Sequence, residues 1–226
     1  MHKLASLLFA LGLAFLLMGL AAQLPLGATP MGVGQEVLQR TPAEIGSANI
    51  VTAVVLAYRG IDTMGELAIL FAAASVAGMV LAPASGGHGR RQPRADAGLV
   101  LRAGSDLLFP LLLVVGFYIV AHGHLTPGGG FQGGVVLAAA FFVSFLARPA
   151  RQPKAVGLTL LEGLAGVAFI GIGLSAMLDG GPFLRLLLEP GVVGQLVSAG
   201  SLPLLYLAVG LKVGAELADL LAHLAE

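Results

Sequence analysis

Six groups of residues in this chain have types and spacings that could do chemistry, all in or beside strongly apolar stretches. Asp62 and Glu66, in the run YRGIDTMGE, fall at i and i+4, which puts both carboxylates on one face of a helix. Such a pair can hold a proton or Na⁺ between its members. The alternative is a capping box with Thr63 as N-cap and Glu66 three residues on, with Asp62 paired to Arg59. His122 and His124 flank Gly123. At i and i+2 they point apart on a helix, so a shared metal is not expected, but either could relay protons because imidazole titrates near neutrality. They could equally pack as interfacial side chains. Glu162, in LTLLEGLAG, lies about six residues into an apolar run and is a candidate for a proton path or a buried structural pair. Lys212, in YLAVGLKVGAEL, sits between Gly210 and Gly214 and could carry protons or snorkel to the interface. Asp106 reads as a charge near a helix N-terminus.

The sixth group is a glycine run. AHGHLTPGGGFQGG, residues 121–134, places a Thr-Pro turn, three consecutive glycines and a Gly-Gly pair between two apolar segments. Backbone at membrane depth must satisfy its own polar groups or lie against protein or water. Gly128, Gly129, Gly130, Gly133 and Gly134 therefore predict that another backbone, or an ion pathway, comes close.

The elements that position these residues follow from composition. The 226 residues are 57% hydrophobic and 11% charged, with no net charge and no cysteine, and mean hydropathy is +0.94. Soluble domains carry roughly 25% charged residues. The reading is an all-α integral membrane protein. No polar stretch is long enough to bury a soluble catalytic domain. No Ser/His/Asp triad, P-loop, HExxH or dinucleotide fingerprint occurs, so no enzyme activity, cofactor or metal is expected. Neutral charge without a long basic run gives no reason to expect nucleic acid.

About six spans are expected, at about 20 apolar residues each: residues 4–24, 64–82, 103–121, 133–147, 156–178, and about 192–212 with a continuation to 221. The first is read as a retained helix, since its apolar run is too long for a signal peptide. Residues 42–59 are too polar for a lipid-exposed span. Thr41-Pro42-Ala43-Glu44 reads there as a capping box opening a partly inserted or interfacial helix, which Gly60 ends. The basic linker 83–102 divides a module at 1–82 from a four-span module at 103–226. Lys3, Arg90, Arg91, Arg94, Arg102, Arg148, Arg151 and Lys154 fall on one side, against Arg40, Arg59 and Arg185 on the other. Positive residues stay inside, so both termini are expected in the cytoplasm of a multi-pass cell-membrane protein.

Two motifs resemble known families. GHLTPGGGFQGGVVLAAA, residues 123–140, resembles the signature of the B-type component of Mrp-type multisubunit Na⁺/H⁺ antiporters, the MnhB family, and GGPFL at 180–184 is similar to a feature before its last span. SLPLLYLAVGLKVGAEL resembles the version in membrane-bound hydrogenases, which lacks an aspartate of many antiporter B-type components and has Pro203 nearby. Residues 48–70, ANIVTAVVLAYRGIDTMGELAIL, resemble the E-type component of membrane-bound hydrogenases, which is also like the C-terminal end of the large A-type antiporter component. The chain thus looks like a fusion of an E-type to a B-type piece. The resemblance implies a component of an assembly that exchanges Na⁺ for H⁺, flanking large subunits related to those of respiratory complex I. Asp62 and Glu66 match its acidic motif, and the glycine run would admit helices of neighbouring subunits. Two alternatives are the membrane arm of a redox-driven pump of the hydrogenase type and a structural scaffold.

Overall fold

The computed structural model describes residues 2–24, 32–81, 97–149, 155–178 and 180–225, and the described residues are helices and connecting loops. Most of the linker 83–102, with Arg90, Arg91 and Arg94, lies outside the described residues, as do Arg151 and Lys154. The helices are α1 (His2–Ala22), α2 (Gly32–Glu44), α3 (Ile50–Thr52) running into a π-helical stretch (Ala53–Tyr58), α4 (Gly60–Leu81), α5 (Leu99–Ala121), α6 (Gly130–Ala147), α7 (Ala155–Leu178) and α8 (Leu202–Ala225). Residues 1–37 and 38–226 form two compact units.

In the first unit, α1 is apolar around its whole circumference, as a lipid-facing helix must be. Five described helices, α1, α4, α5, α6 and α7, are long and apolar enough to cross a bilayer. The 24 residues of α8 also have the length, but they carry Lys212, Glu216 and Asp219.

In the second unit, α6 and α8 pack along facing GxxxG pairs, Gly130/Gly134 and Gly210/Gly214. A Cβ on Gly134 would lie 2.9 Å from the Gly210 carbonyl oxygen, and one on Gly130 would lie 2.6 Å from Val209 Cβ. Close backbone approach of this kind replaces hydrophobic burial as the driving force between membrane helices. On its other side α6 meets α5, where a Cβ on Gly133 would lie 2.8 Å from the Gly116 carbonyl oxygen. α7 and α4 also pack against α8, and the core between them contains Leu67, Phe169, Leu205 and Val209.

Three boundaries differ from the sequence reading, each for a backbone reason. Thr41-Pro42-Ala43-Glu44 closes α2 instead of opening a helix. Gly46 at φ +73° turns its N–H back to the Thr41 carbonyl at 3.2 Å, a left-handed stop suited to glycine. Residues 45–49 are irregular, and only Ile50–Tyr58 is helical before the chain bends at Arg59. Nine residues reach about 14 Å, under half of a hydrocarbon core of about 30 Å. The segment therefore does not cross. Gly60 starts α4 and does not end the preceding helix. Finally, the last helix begins at Leu202, about ten residues later than its apolar run. Gly191, Gly194, Ala199 and Gly200 all take positive φ, which excludes a continuous right-handed helix.

The loop before α8 explains GGPFL. Phe183 packs where a side chain on Gly173 of α7 would stand, and Leu184 does the same at Gly60 of α4. Leu184 is buried and adopts φ 62°, a conformation disfavoured for a bulky residue and held here by its packing.

Candidate functional site

The loop 122–130 and residues 47–52 are bonded to one another, side chain to backbone. Asn49 caps α3, and its Nδ2 donates to the carbonyls of Gly123 at 2.8 Å and Thr126 at 2.9 Å. Thr52 Oγ1 donates to Gly123 O at 2.7 Å. The His124 carbonyl accepts from Ser47 Oγ at 2.9 Å and from the N–H groups of Ala48 and Asn49, each at 3.0 Å. Irregular backbone inside a membrane protein needs this kind of internal satisfaction. The His124 ring is fully buried, with Nε2 at 3.4 Å from Gln195 O and Nδ1 without a hydrogen-bond partner among the described residues. Burial holds this imidazole below its ordinary range, outweighing its backbone hydrogen bonds. His122 is apart from it. It ends α5, donates from Nδ1 to Tyr118 O at 3.0 Å and stacks on Tyr118 at 4.0 Å between ring centroids.

A cavity of about 260 Å³ opens beside this loop, lined by Glu66, Thr63, Gly128–Gln132, Tyr206 and residues of the π-helical turn. Gly128 and Gly129 adopt φ +147° and +135°, and Tyr206 lies against Gly129, 3.0 Å from where a Cβ would be. Tyr206 OH is buried without a partner among the described residues. The π-helical turn frees a carbonyl here. Arg59 N–H reaches back to Val54 O at 2.8 Å, and Thr63 Oγ1 donates to Val55 O at 2.7 Å. Thr63 is therefore inside α4 and is not an N-cap. Asp62 pairs with Arg59, both exposed. Glu66 lines the cavity and Asp62 does not, so the two carboxylates have different surroundings.

A second site lies farther along α8. Lys212 Nζ donates to Glu162 Oε1 of α7 at 3.2 Å and to Glu216 Oε2, one turn on, at 3.0 Å. Its ammonium also stands 5.2 Å from the centre of the Phe71 ring of α4. Lys212 is the eleventh residue of α8, so it pairs in mid-helix and does not snorkel to an end. Its stem passes Gly166 of α7, with Cδ 3.7 Å from where a Cβ would stand. Glu216 was not among the sequence candidates. Its signal was the i, i+4 spacing from Lys212. Two cavities flank the trio. One, of about 280 Å³, has apolar walls that include Met64, Leu67, Phe71 and Phe169. The other, of about 210 Å³, is lined by Ser75, Thr159, Glu162, Glu216, Asp219 and His223. Asp106 is two turns into α5 and makes a two-pronged ion pair with Arg148, both bonds 2.7 Å, so it does not act as an N-terminal helix charge.

A helical protein with five membrane-length apolar helices among its described residues and paired charges inside its bundle belongs to the class of multi-pass membrane proteins. The chain belongs to the family of domains related to the MnhB subunit of Na⁺/H⁺ antiporter, whose pattern it matches over residues 100–219. It is 32% identical over 193 residues, 75% of its length and 74% of the relative's, to the uncharacterized protein MJ1307 of Methanocaldococcus jannaschii. A 49-residue stretch is 47% identical to a candidate antiporter subunit, mnhB2, of Staphylococcus aureus strain Newman, and covers 22% of this chain and 35% of that one. Among solved structures, a chain of the membrane-bound sulfane sulfur reductase, an archaeal respiratory membrane complex, superposes with TM-score 0.82 and 35% identity, covering 98% of this chain and 97% of the other. A chain of the Mrp complex from Dietzia sp. DQ12-45-1b shares the fold, with TM-score 0.73 and 24% identity over 98% of this chain and 26% of that one.

Proposed function

We propose that this chain is a membrane subunit of a multisubunit cation/proton antiporter and takes part in moving ions across the bilayer. The observation that carries the reading is a lysine and two glutamates held inside a bundle of membrane-length helices. Such groups are costly in lipid and mark ion paths. Its partners are the other subunits of an antiporter or complex-I-like membrane assembly, with Na⁺ and H⁺ as the ions carried. Glu66, at the cavity beside the glycine loop, is the ion-binding candidate on the α4 side, and Glu162 and Lys212 serve in mid-bundle. Asp62 positions Arg59. His124 holds the loop through its backbone carbonyl. The chain has no catalytic role of its own in this reading.

In the assembled complex reconstituted in vesicles, Glu66→Gln is expected to leave assembly intact and to reduce Na⁺-driven proton movement at least tenfold. Wild-type exchange by the assembled variant would remove Glu66 from the path.

A second reading is favoured by the near full-length match to the sulfane sulfur reductase chain. In it the same subunit serves the membrane arm of a redox-driven pump. Purification in mild detergent separates the two, because iron–sulfur partners belong only to the second. In either complex we take residues 1–82 as an E-type module joined through the linker 83–102 to the MnhB-like part at 103–226. We also place both termini and the linker in the cytoplasm. A reporter fused at Gly87 should read cytoplasmic, and an external signal there would reverse the orientation.

A further inference from the structure

Glu216 has an oxygen without a partner. Oε2 accepts from Lys212, but Oε1 is buried with no hydrogen-bond partner among the described residues, and the side chain is only 2% exposed. It lines the 210 Å³ cavity that leads along α8 past Asp219 to His223. Charge is unbalanced at this point. Lys212 contributes one positive charge to two carboxylates, so the fully ionised trio is one positive charge short inside the membrane. The groups facing it offer little compensation. α4 presents Phe71 and Ser75, α7 presents Thr159 besides Glu162, and α8 presents Asp219 with His223, whose Nδ1 lies 3.9 Å from the Asp219 carboxylate. α6, which also packs against α8, has no ionisable residue, and α5, which packs there too, carries Arg102 in its first turn and Asp106, the latter paired with Arg148.

A proton or a metal cation could supply the missing charge. A metal cation needs several converging oxygens. Lys212 already occupies the space between the two glutamates, and no cluster of three or more metal-binding side chains occurs among the described residues. We propose that Glu216 is a proton-loading site. Its Oε1 carries a proton that it exchanges with the His223 end of the helix through the polar cavity. On release, the O–H bond of the carboxylic acid breaks and the proton passes through cavity water toward Asp219 and His223. Glu216 then remains as a carboxylate paired with Lys212. The apolar cavity walled by Met64, Leu67 and Phe71 lies on the other side of Lys212, so the loaded proton communicates with the His223 end and not with Glu66. The inference rests on the ion-translocating reading above and assigns the proton's place within it.

The test is infrared difference spectroscopy of the purified full chain in lipid nanodiscs. At neutral pH the wild type should show the carbonyl stretch of a protonated carboxylic acid, which shifts in D₂O and persists when Na⁺ replaces K⁺. Glu216→Gln should remove it, and Asp219→Asn should keep it. Should Glu216→Gln not fold, Glu216→Asp is expected to shift the band. A wild type without the band overturns the proposal. So does a band that survives Glu216→Gln, one that does not move in Glu216→Asp, or one that Na⁺ bleaches. If the band is present but the assembled complex shows no cation-coupled proton movement, the functional reading fails and the proton site stands. Coupled exchange without the band defeats the proton site alone.

Discussion

Adding one methyl group at Gly133 should separate a crossing of helices from a flexible glycine. In Gly133→Ala the new Cβ would lie 2.4 Å from Val120 Cγ2, 2.8 Å from the Gly116 carbonyl oxygen and 3.1 Å from the Val120 nitrogen. Two of these neighbours are backbone, so a rotamer change cannot relieve the clash, and α5 and α6 must move apart. Overpacking costs about 1–3 kcal/mol, and a double backbone clash belongs at the upper end. Alanine regains about 1 kcal/mol over glycine within a helix. The net loss is therefore about 2 kcal/mol. At about 2–4 °C per kcal/mol for a chain of this size, this is a fall of about 4–8 °C in the unfolding midpoint. The control is Gly171→Ala in α7, where nothing lies within 4 Å of the new Cβ. That variant should keep the helix gain and unfold no earlier than wild type. The assay is thermal unfolding of the detergent-purified chain followed by circular dichroism. Equal midpoints for Gly133→Ala and Gly171→Ala would refute the close crossing and return the glycine run to a mobile turn.

Other sites give further expectations. Asn49→Ala removes an N-cap and two hydrogen bonds to the loop, a loss of about 2–3 kcal/mol. Amide hydrogen exchange at residues 123–126 should quicken by at least tenfold, and unchanged protection would show that the loop holds itself. His124 is buried in its neutral form, so the unfolded chain binds the extra proton. Its contribution to stability is full above the ordinary imidazole range near 6.5 and declines as pH falls below it. Unfolding midpoints should drop from pH 7 to pH 5 by more in wild type than in His124→Gln, and parallel curves would contradict the burial argument.

The long apolar runs were legible because hydropathy reads length directly, and the spans from Gly60, Leu99, Gly130 and Ala155 begin within four residues of their expected starts. The start of α8 was not. Val192, Val193, Leu196 and Val197 are apolar and exposed, so a loop that faces lipid or another subunit has the composition of a span. Only its positive-φ residues reveal the break. Capping motifs misled at Thr41 and Thr63 because Ser, Thr and acidic residues also serve tertiary contacts. Glu162 and Lys212 were visible as isolated charges, but that Lys212 pairs with both Glu162 and Glu216 depends on how α7 lies across α8. At His124 the sequence draws attention to the ring, whereas the carbonyl makes the three bonds that hold residues 47–49.

The bonds between residues 47–52 and the loop 123–126, with Leu184 fitted over Gly60, also bear on the connection between α4 and α5. Recognition between the two halves is written into their surfaces. The peptide link raises the concentration of each half near the other. On the two-module reading proposed above, a cell could encode the halves as two genes or as one, with the same paired surfaces in both arrangements. Joining them in one chain fixes their stoichiometry at one to one and removes an encounter step from assembly within the membrane.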